Sequence, residues 1–159
     1  MKPKKVAIFL AIIMCVAVVL TMIFVFTPKG NNTNIPTEIT RLIEDYMTAY
    51  KTGTEAAVEF TYFNDDFRRQ AYIDSGDYLI DYEVKSIVKV NENLYAISVL
   101  VKTAQTESNS GDGMELVYNF AAKVDGNWKY VNGVSNIPES DRINLDVSQY
   151  TYNDENIVG

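Results

Sequence analysis

From Val6 to Thr27 the chain carries no charged residue and almost no polar one. A helix rises about 1.5 Å per residue, so this run reaches roughly 33 Å, enough to cross a hydrocarbon core of ~30 Å. Lys2, Lys4 and Lys5 precede it and only Lys29 follows closely. The positive-inside bias therefore puts the N-terminus in the cytosol and everything from Pro28 onward outside, at the cell membrane. A cleaved signal peptide would need small residues before the cut. Cys15-Val16-Ala17 offers them but would leave VVLTMIFVF as a new N-terminus, and the closing FVFTPKG has no A-x-A-like site. A lipoprotein would need a small residue before Cys15, where Met14 stands. The expectation is an uncleaved anchor, with Cys15 one more apolar side chain in lipid.

The expected organisation is a cytosolic stub over 1–5, a transmembrane anchor over 6–27 and a linker over 28–36. An α+β domain over 37–137 and an acidic, partly ordered tail over 138–159 follow. The linker TPKGNNTNIPT combines two prolines, a glycine and three asparagines, a composition that resists regular structure.

The part beyond the linker is acidic. Residues 30–159 hold all 21 Asp and Glu against ten of the 14 Lys and Arg, a net −11. Such a surface repels nucleic acid and anionic head groups, and solubility is its plainest explanation. The sole cysteine lies in the apolar run, so no disulfide can staple the external part. Disulfides are common in small eukaryotic secreted domains, and their absence here points toward a bacterium.

Two periodicities organise the external part. Ile39, Leu42, Ile43, Tyr46, Met47 and Tyr50 recur at helical spacing, with Arg41, Glu44, Asp45, Thr48 and Lys51 opposite. Thr37 is the expected N-cap and Gly53 the stop. Thr54 is placed to cap a second, shorter helix, and Asn64 or Asp65 a third that ends at Ser75-Gly76. Past Gly76 the period becomes two. Strands are expected over 82–90, 94–103, 114–124 and 127–134, and Asp125-Gly126 is a strong hairpin signal. The short links predict an antiparallel meander.

Helices first and strands second define an α+β domain: a long amphipathic helix and short helices packed on a four-stranded antiparallel sheet. The alternation assigns Tyr95, Val99, Tyr118, Phe120, Trp128 and Tyr130 to the face that the Ile39–Tyr50 stripe covers. Ile87 and Val117 are expected on the outer face, as a self-association surface for a protein partner or a second copy.

An amphipathic helix, short helices and a meander ending in DGNWKYVNGV resemble the nuclear-transport-factor-2-like (cystatin-like cone) superfamily. The carrying residues are Asp125, Gly126, Trp128, Lys129 and Tyr130. The resemblance spans about residues 37–137 and implies a curved sheet wrapped around the long helix. Enzymes of the superfamily place acids, Tyr or His inside the cone. The order of short tail, single span and external module is also similar to the bridge component of type IV secretion and conjugation machines.

The chain has no histidine, which excludes His-based acid–base or nucleophilic chemistry, and no cysteine outside the apolar run for thiol catalysis. A carboxylate–tyrosine pair stays open through Asp81 or Glu83 with Tyr118 or Tyr130, although strand acids usually face solvent. Neither DSGDYLID nor NSGDGME has the spacing of a calcium loop, and there is no phosphate-binding glycine loop or basic stripe. No metal, cofactor or nucleic acid is expected. Eleven tyrosines are many for 159 residues. Tyr46, Tyr50, Tyr62, Tyr118 and Tyr130, with Phe120 and Trp128, either line an apolar pocket for a small amphipathic ligand or fill the core. The expected function is a non-enzymatic, single-pass envelope protein presenting an interaction module. The alternatives are a tethered ligand binder and an Asp/Tyr-dependent enzyme.

Overall fold

The computed structural model describes residues 35–105 and 113–150, together with the backbone of 157–158. The expected anchor over 6–27 and most of the linker lie outside the described residues. Among those described, no helix is long and apolar enough to cross a membrane.

Helix α1 (Thr37–Thr52) follows the predicted periodicity and buries Ile39, Leu42, Ile43, Tyr46 and Met47. Its start differs from expectation. Thr37 is the first helical residue, and the Pro36 carbonyl receives Ile39 N–H at 2.9 Å without a side-chain cap. Proline fits there because the turn ahead of a helix needs no N–H from it. Gly53, at φ 136°, stops α1 and lets Thr54 N–H reach the Asp77 carbonyl at 3.0 Å. A short helix α2 (Thr54–Ala57) and a 3₁₀ turn over Val58–Phe60 follow. Helix α3 (Asp66–Asp74) is capped by Asp65, whose Oδ1 accepts from Arg68 N–H at 2.7 Å.

Four strands then form an antiparallel meander: β1 (Leu79–Asn91), β2 (Leu94–Thr103), β3 (Met114–Val124) and β4 (Asn127–Val131), in sequence order. Asp125 and Gly126, both at positive φ, make the β3–β4 turn in the conformation that matches the twist of a hairpin. A two-residue β5 (Ile157–Val158) pairs with the start of β3. Beyond β4 the chain makes short turns: 3₁₀ over Val134–Asn136, helix α4 (Glu139–Arg142) and 3₁₀ over Val147–Tyr150.

The sheet has a core on each face. On one, α1 packs against Tyr95, Ile97, Val99 and Val101 of β2, Ala121 of β3 and Tyr130 of β4. On the other, Leu94, Ala96, Phe120, Ala122 and Val131 pack against Ile137, with Tyr62, Val134, Leu145 and Tyr150 around them. The residues following β4 thus cover the second face, and the segment expected to be partly ordered is docked as far as Tyr150.

Two expectations about facing are corrected. Ile87 and Val117 pack with α1, not on the outer face. Between Val84 and Ser86 the β1–β2 register slips, so Val84 lies opposite Val99 and Ile87 opposite Ile97. The extra residue, Lys85, reverses the alternation and turns Ile87 inward. In β3 the alternation is regular, but Phe120 and Tyr118 lie on the second face. Ala121, which lies opposite both Tyr95 and Tyr130, leaves room for the Tyr130 ring beside α1.

Candidate functional site

The seven aromatic residues singled out above divide between the two faces and do not line one cavity. Tyr46 and Tyr130 meet between α1 and β4, their rings stacked with centroids 3.7 Å apart and planes 10° from parallel. Tyr50 lies one turn after Tyr46, at 5.6 Å. Trp128 packs edge-on to Tyr95 at 5.6 Å, with the Lys123 ammonium 5.8 Å from its ring centroid. Phe120 and Tyr118 sit on the opposite face, edge-on to Tyr150 at 5.3 and 6.0 Å. Tyr62 borders that second cluster and ties its backbone N–H to the Tyr130 carbonyl at 2.8 Å.

The polar tips of the first group form a network. Tyr46 donates to Asn132 Oδ1 at 3.1 Å, leaving Tyr72 to donate to Tyr46 at 3.1 Å. Tyr130 accepts from Asn119 Nδ2 at 3.0 Å, and Asn119 Oδ1 accepts the Gly133 N–H at 3.2 Å. Tyr50 donates to Asp77 Oδ2 at 2.9 Å, while Asp77 Oδ1 accepts the N–H groups of Tyr78 and Gln105 at 3.0 and 3.1 Å. Tyr72, Asp77, Asn119 and Asn132 were not foreseen. The sequence signal for Tyr72 was its place in a predicted helix; Asp77 lies just before β1, Asn119 in the middle of β3 and Asn132 just past β4, and alternation gives a strand residue a face but not a polar partner.

Burial governs the chemistry of these phenols. It raises Tyr46 and Tyr130 well above the usual phenol range and pushes Tyr72 up to about 12. Tyr50 rises for the same reason, and the bond to Asp77 adds to it. All four are therefore neutral phenols at physiological pH, each anchored by a defined partner, and none is poised as a base. Two buried donors, Trp128 Nε1 and Asn132 Nδ2, have no hydrogen-bond partner among the described residues.

The carboxylates proposed for an acid–tyrosine pair serve elsewhere. Asp81 Oδ1 accepts its neighbour's Tyr82 N–H at 2.9 Å, and Glu83 pairs with Lys85 at 2.8 Å. The pair that does form, Tyr50 with Asp77, joins α1 to the start of β1. Among the described residues no group of three acidic, His or Cys side chains is arranged to hold a metal ion.

Clefts lie at the surface. One of about 350 Å³ runs along the edge of β3, bordered by Glu115, Leu116, Tyr118, Val134, Ser135 and Tyr150. Another of about 400 Å³ separates the start of α3 from α4, between Asp65, Arg68, Glu139 and Arg142.

No protein-family profile matches the sequence, and no curated protein matches it. Solved structures do. An NTF2-like protein of unknown function from Shewanella oneidensis MR-1 is similar over 60% of this chain and 94% of its own, at 14% identity and TM-score 0.43. A domain of unknown function with a cystatin-like fold from Nostoc punctiforme PCC 73102 is similar over 64% and 78%, at 20% identity and TM-score 0.41.

Proposed function

We propose that the chain is a non-enzymatic, single-pass bacterial envelope protein. In this reading residues 6–27 anchor it in the cell membrane, and the α+β module makes protein–protein contacts outside. The observation that carries the reading is the Tyr46–Tyr130 stack at 3.7 Å. It fills the space between helix and sheet in which a small ligand would otherwise lie. With that interior occupied and its phenols hydrogen-bonded within the module, what the module offers a partner is surface. The charge-free stretch preceded by three lysines supports the tether. The order of short tail, single span and external module supports an accessory role in a secretion- or conjugation-type complex.

Crosslinking in native membranes tests this reading. It expects a defined protein partner, or a second copy of the chain, in the crosslinked product. A chain that crosslinks to nothing, and whose unfolding temperature rises strongly with one class of small apolar ligand, overturns it in favour of a tethered binder.

A further inference from the structure

Asn132 and Gly133 stand together just past β4, and they are the only Asn-Gly pair in the chain. The fold uses both residues. Gly133 has a φ of 70°, which glycine adopts without strain, and the turn it makes leads the chain from β4 toward the second face. Asn132 ties that turn to the helix layer. Its Oδ1 accepts the Tyr46 hydroxyl at 3.1 Å, and its carbonyl oxygen accepts from Asn136 Nδ2 at 2.9 Å.

The same pair is chemically labile. A main-chain nitrogen that follows an asparagine can attack the side-chain amide carbon, and glycine, with no Cβ, shields that nitrogen least. Every other asparagine of the chain precedes a residue with a side chain. The reaction starts when the Gly133 N–H loses its proton to a base from solvent. The nitrogen then bonds to Asn132 Cγ, the Cγ–Nδ2 bond breaks, and Nδ2 leaves as ammonia. One water molecule opens the succinimide ring so formed. Cleavage at Cγ leaves aspartate, and cleavage at the main-chain carbonyl leaves isoaspartate. The net change is amide and water to acid and ammonia, with no oxidant or reductant.

Three features hold this reaction off in the folded module. The Gly133 N–H is donated to Asn119 Oδ1 at 3.2 Å, and a neutral amide oxygen does not take the proton. The bond to Tyr46 fixes the Asn132 side chain toward α1. The leaving group, Nδ2, is buried away from the water that the reaction needs.

We propose that Asn132 is a modification site gated by the fold. It is silent while Asn119 and Tyr46 clamp the pair, and it is converted to aspartate and isoaspartate when the turn after β4 comes loose. Either product marks that opening permanently. Aspartate sets a charge among buried phenols, and isoaspartate adds a methylene to the main chain and displaces the Gly133 N–H from Asn119. Refolding does not erase the mark.

The test incubates the full chain in detergent micelles in mildly alkaline buffer, with and without urea. Peptide mapping locates each exchange of NH2 for OH and separates the two products. Asn132 is expected to convert at least about tenfold faster in the unfolded chain than in the native one, because only the open fraction reacts. Asn119→Ala and Tyr46→Phe, each held where it is folded, are expected to convert about tenfold faster than the native chain. Gly53→Ala weakens the fold at the end of α1 and supplies the control: at matched stability it is expected to convert more slowly than either clamp variant. Should neither clamp variant fold, the native chain carries the test. As urea rises below the midpoint, conversion of Asn132 and amide exchange at Gly133 are expected to climb together. Equal rates with and without urea, clamp variants no faster than Gly53→Ala at matched stability, or Gly133 exchange that climbs while Asn132 stays intact overturns the proposal.

Discussion

The Tyr50 hydroxyl lies 2.9 Å from Asp77 Oδ2, and this bond joins the last turn of α1 to the residues that open β1. The same carboxylate holds the N–H groups of Tyr78 and Gln105, so it gathers the helix, the first strand and the end of the second. Asp77→Ala leaves three donors without their acceptor in a buried setting. It is expected to lower stability by about 2–3 kcal/mol, because hydrogen bonds to a charged group are among the stronger ones. Tyr50→Phe removes one of the three and is expected to cost about 1 kcal/mol. Urea unfolding followed by the emission of Trp128, the only tryptophan, measures both.

Alkaline pH attacks the other half of the network. Tyr72 titrates near 10 when the chain is unfolded and near 12 in the folded state. Below about pH 10 its contribution is fully present. Between pH 10 and 12 the unfolded chain gives up the phenolic proton while the folded one keeps it, so stability falls as pH rises. Tyr46, Tyr50 and Tyr130 act in the same direction. The expected outcome is a late step in tyrosinate absorbance that coincides with the loss of the Trp128 signal. Tyr72→Phe should move that step to higher pH. Late phenols that ionise while Trp128 stays native-like would contradict the assigned burial.

The core on the second face carries weight of its own. Phe120 and Ile137 are both fully buried there. Phe120→Ala is expected to cost about 3–5 kcal/mol and Ile137→Ala about 2–4 kcal/mol. Phe67, 82% exposed on α3, supplies the contrast: Phe67→Ser should change stability by no more than about 0.5 kcal/mol. Urea midpoints for the three variants check the ordering. Equal values for Ile137→Ala and Phe67→Ser would remove the residues after β4 from the fold.

Gly53 is the backbone position least tolerant of a side chain. Its φ of 136° lies where L-residues are strained, and an added Cβ would stand 3.9 Å from the Asp77 carbonyl oxygen. Contact is therefore not the obstacle; the dihedral is. Gly53→Ala is expected to cost about 1–3 kcal/mol, read as a lowered unfolding midpoint.

Much of the fold was legible because two periods differ so clearly. The stripe from Ile39 to Met47 named the buried side of α1, and the alternations over 94–103 and 114–124 named β2 and β3 to the residue. Facing was less legible, for two separate reasons. Lys85 is a bulge, and counting by twos through a bulge reverses every later side chain. In β3 both alternating sets are buried, so alternation separates them without saying which set meets α1. The alternation placed Phe120 and Tyr118 beside Tyr130 on the α1 side; Tyr130 does lie there, next to the small Ala121, while Phe120 and Tyr118 belong to the other face. The candidate site was legible only as a surplus of tyrosine. Its partners Asp77, Asn119 and Asn132 come from three points far apart in the chain, and only the folded topology brings them together.

A sheet coated on both sides has a consequence for anyone who wishes to handle the module by itself. Cutting after residue 137, where the strand pattern ends, would strip Leu145 and Tyr150 from Phe120 and leave a greasy sheet surface facing water. Such a fragment would clump even though every residue that touches α1 remained in place. The workable C-terminal boundary lies beyond Tyr150, well past the point at which the chain stops looking like a folded domain to the eye.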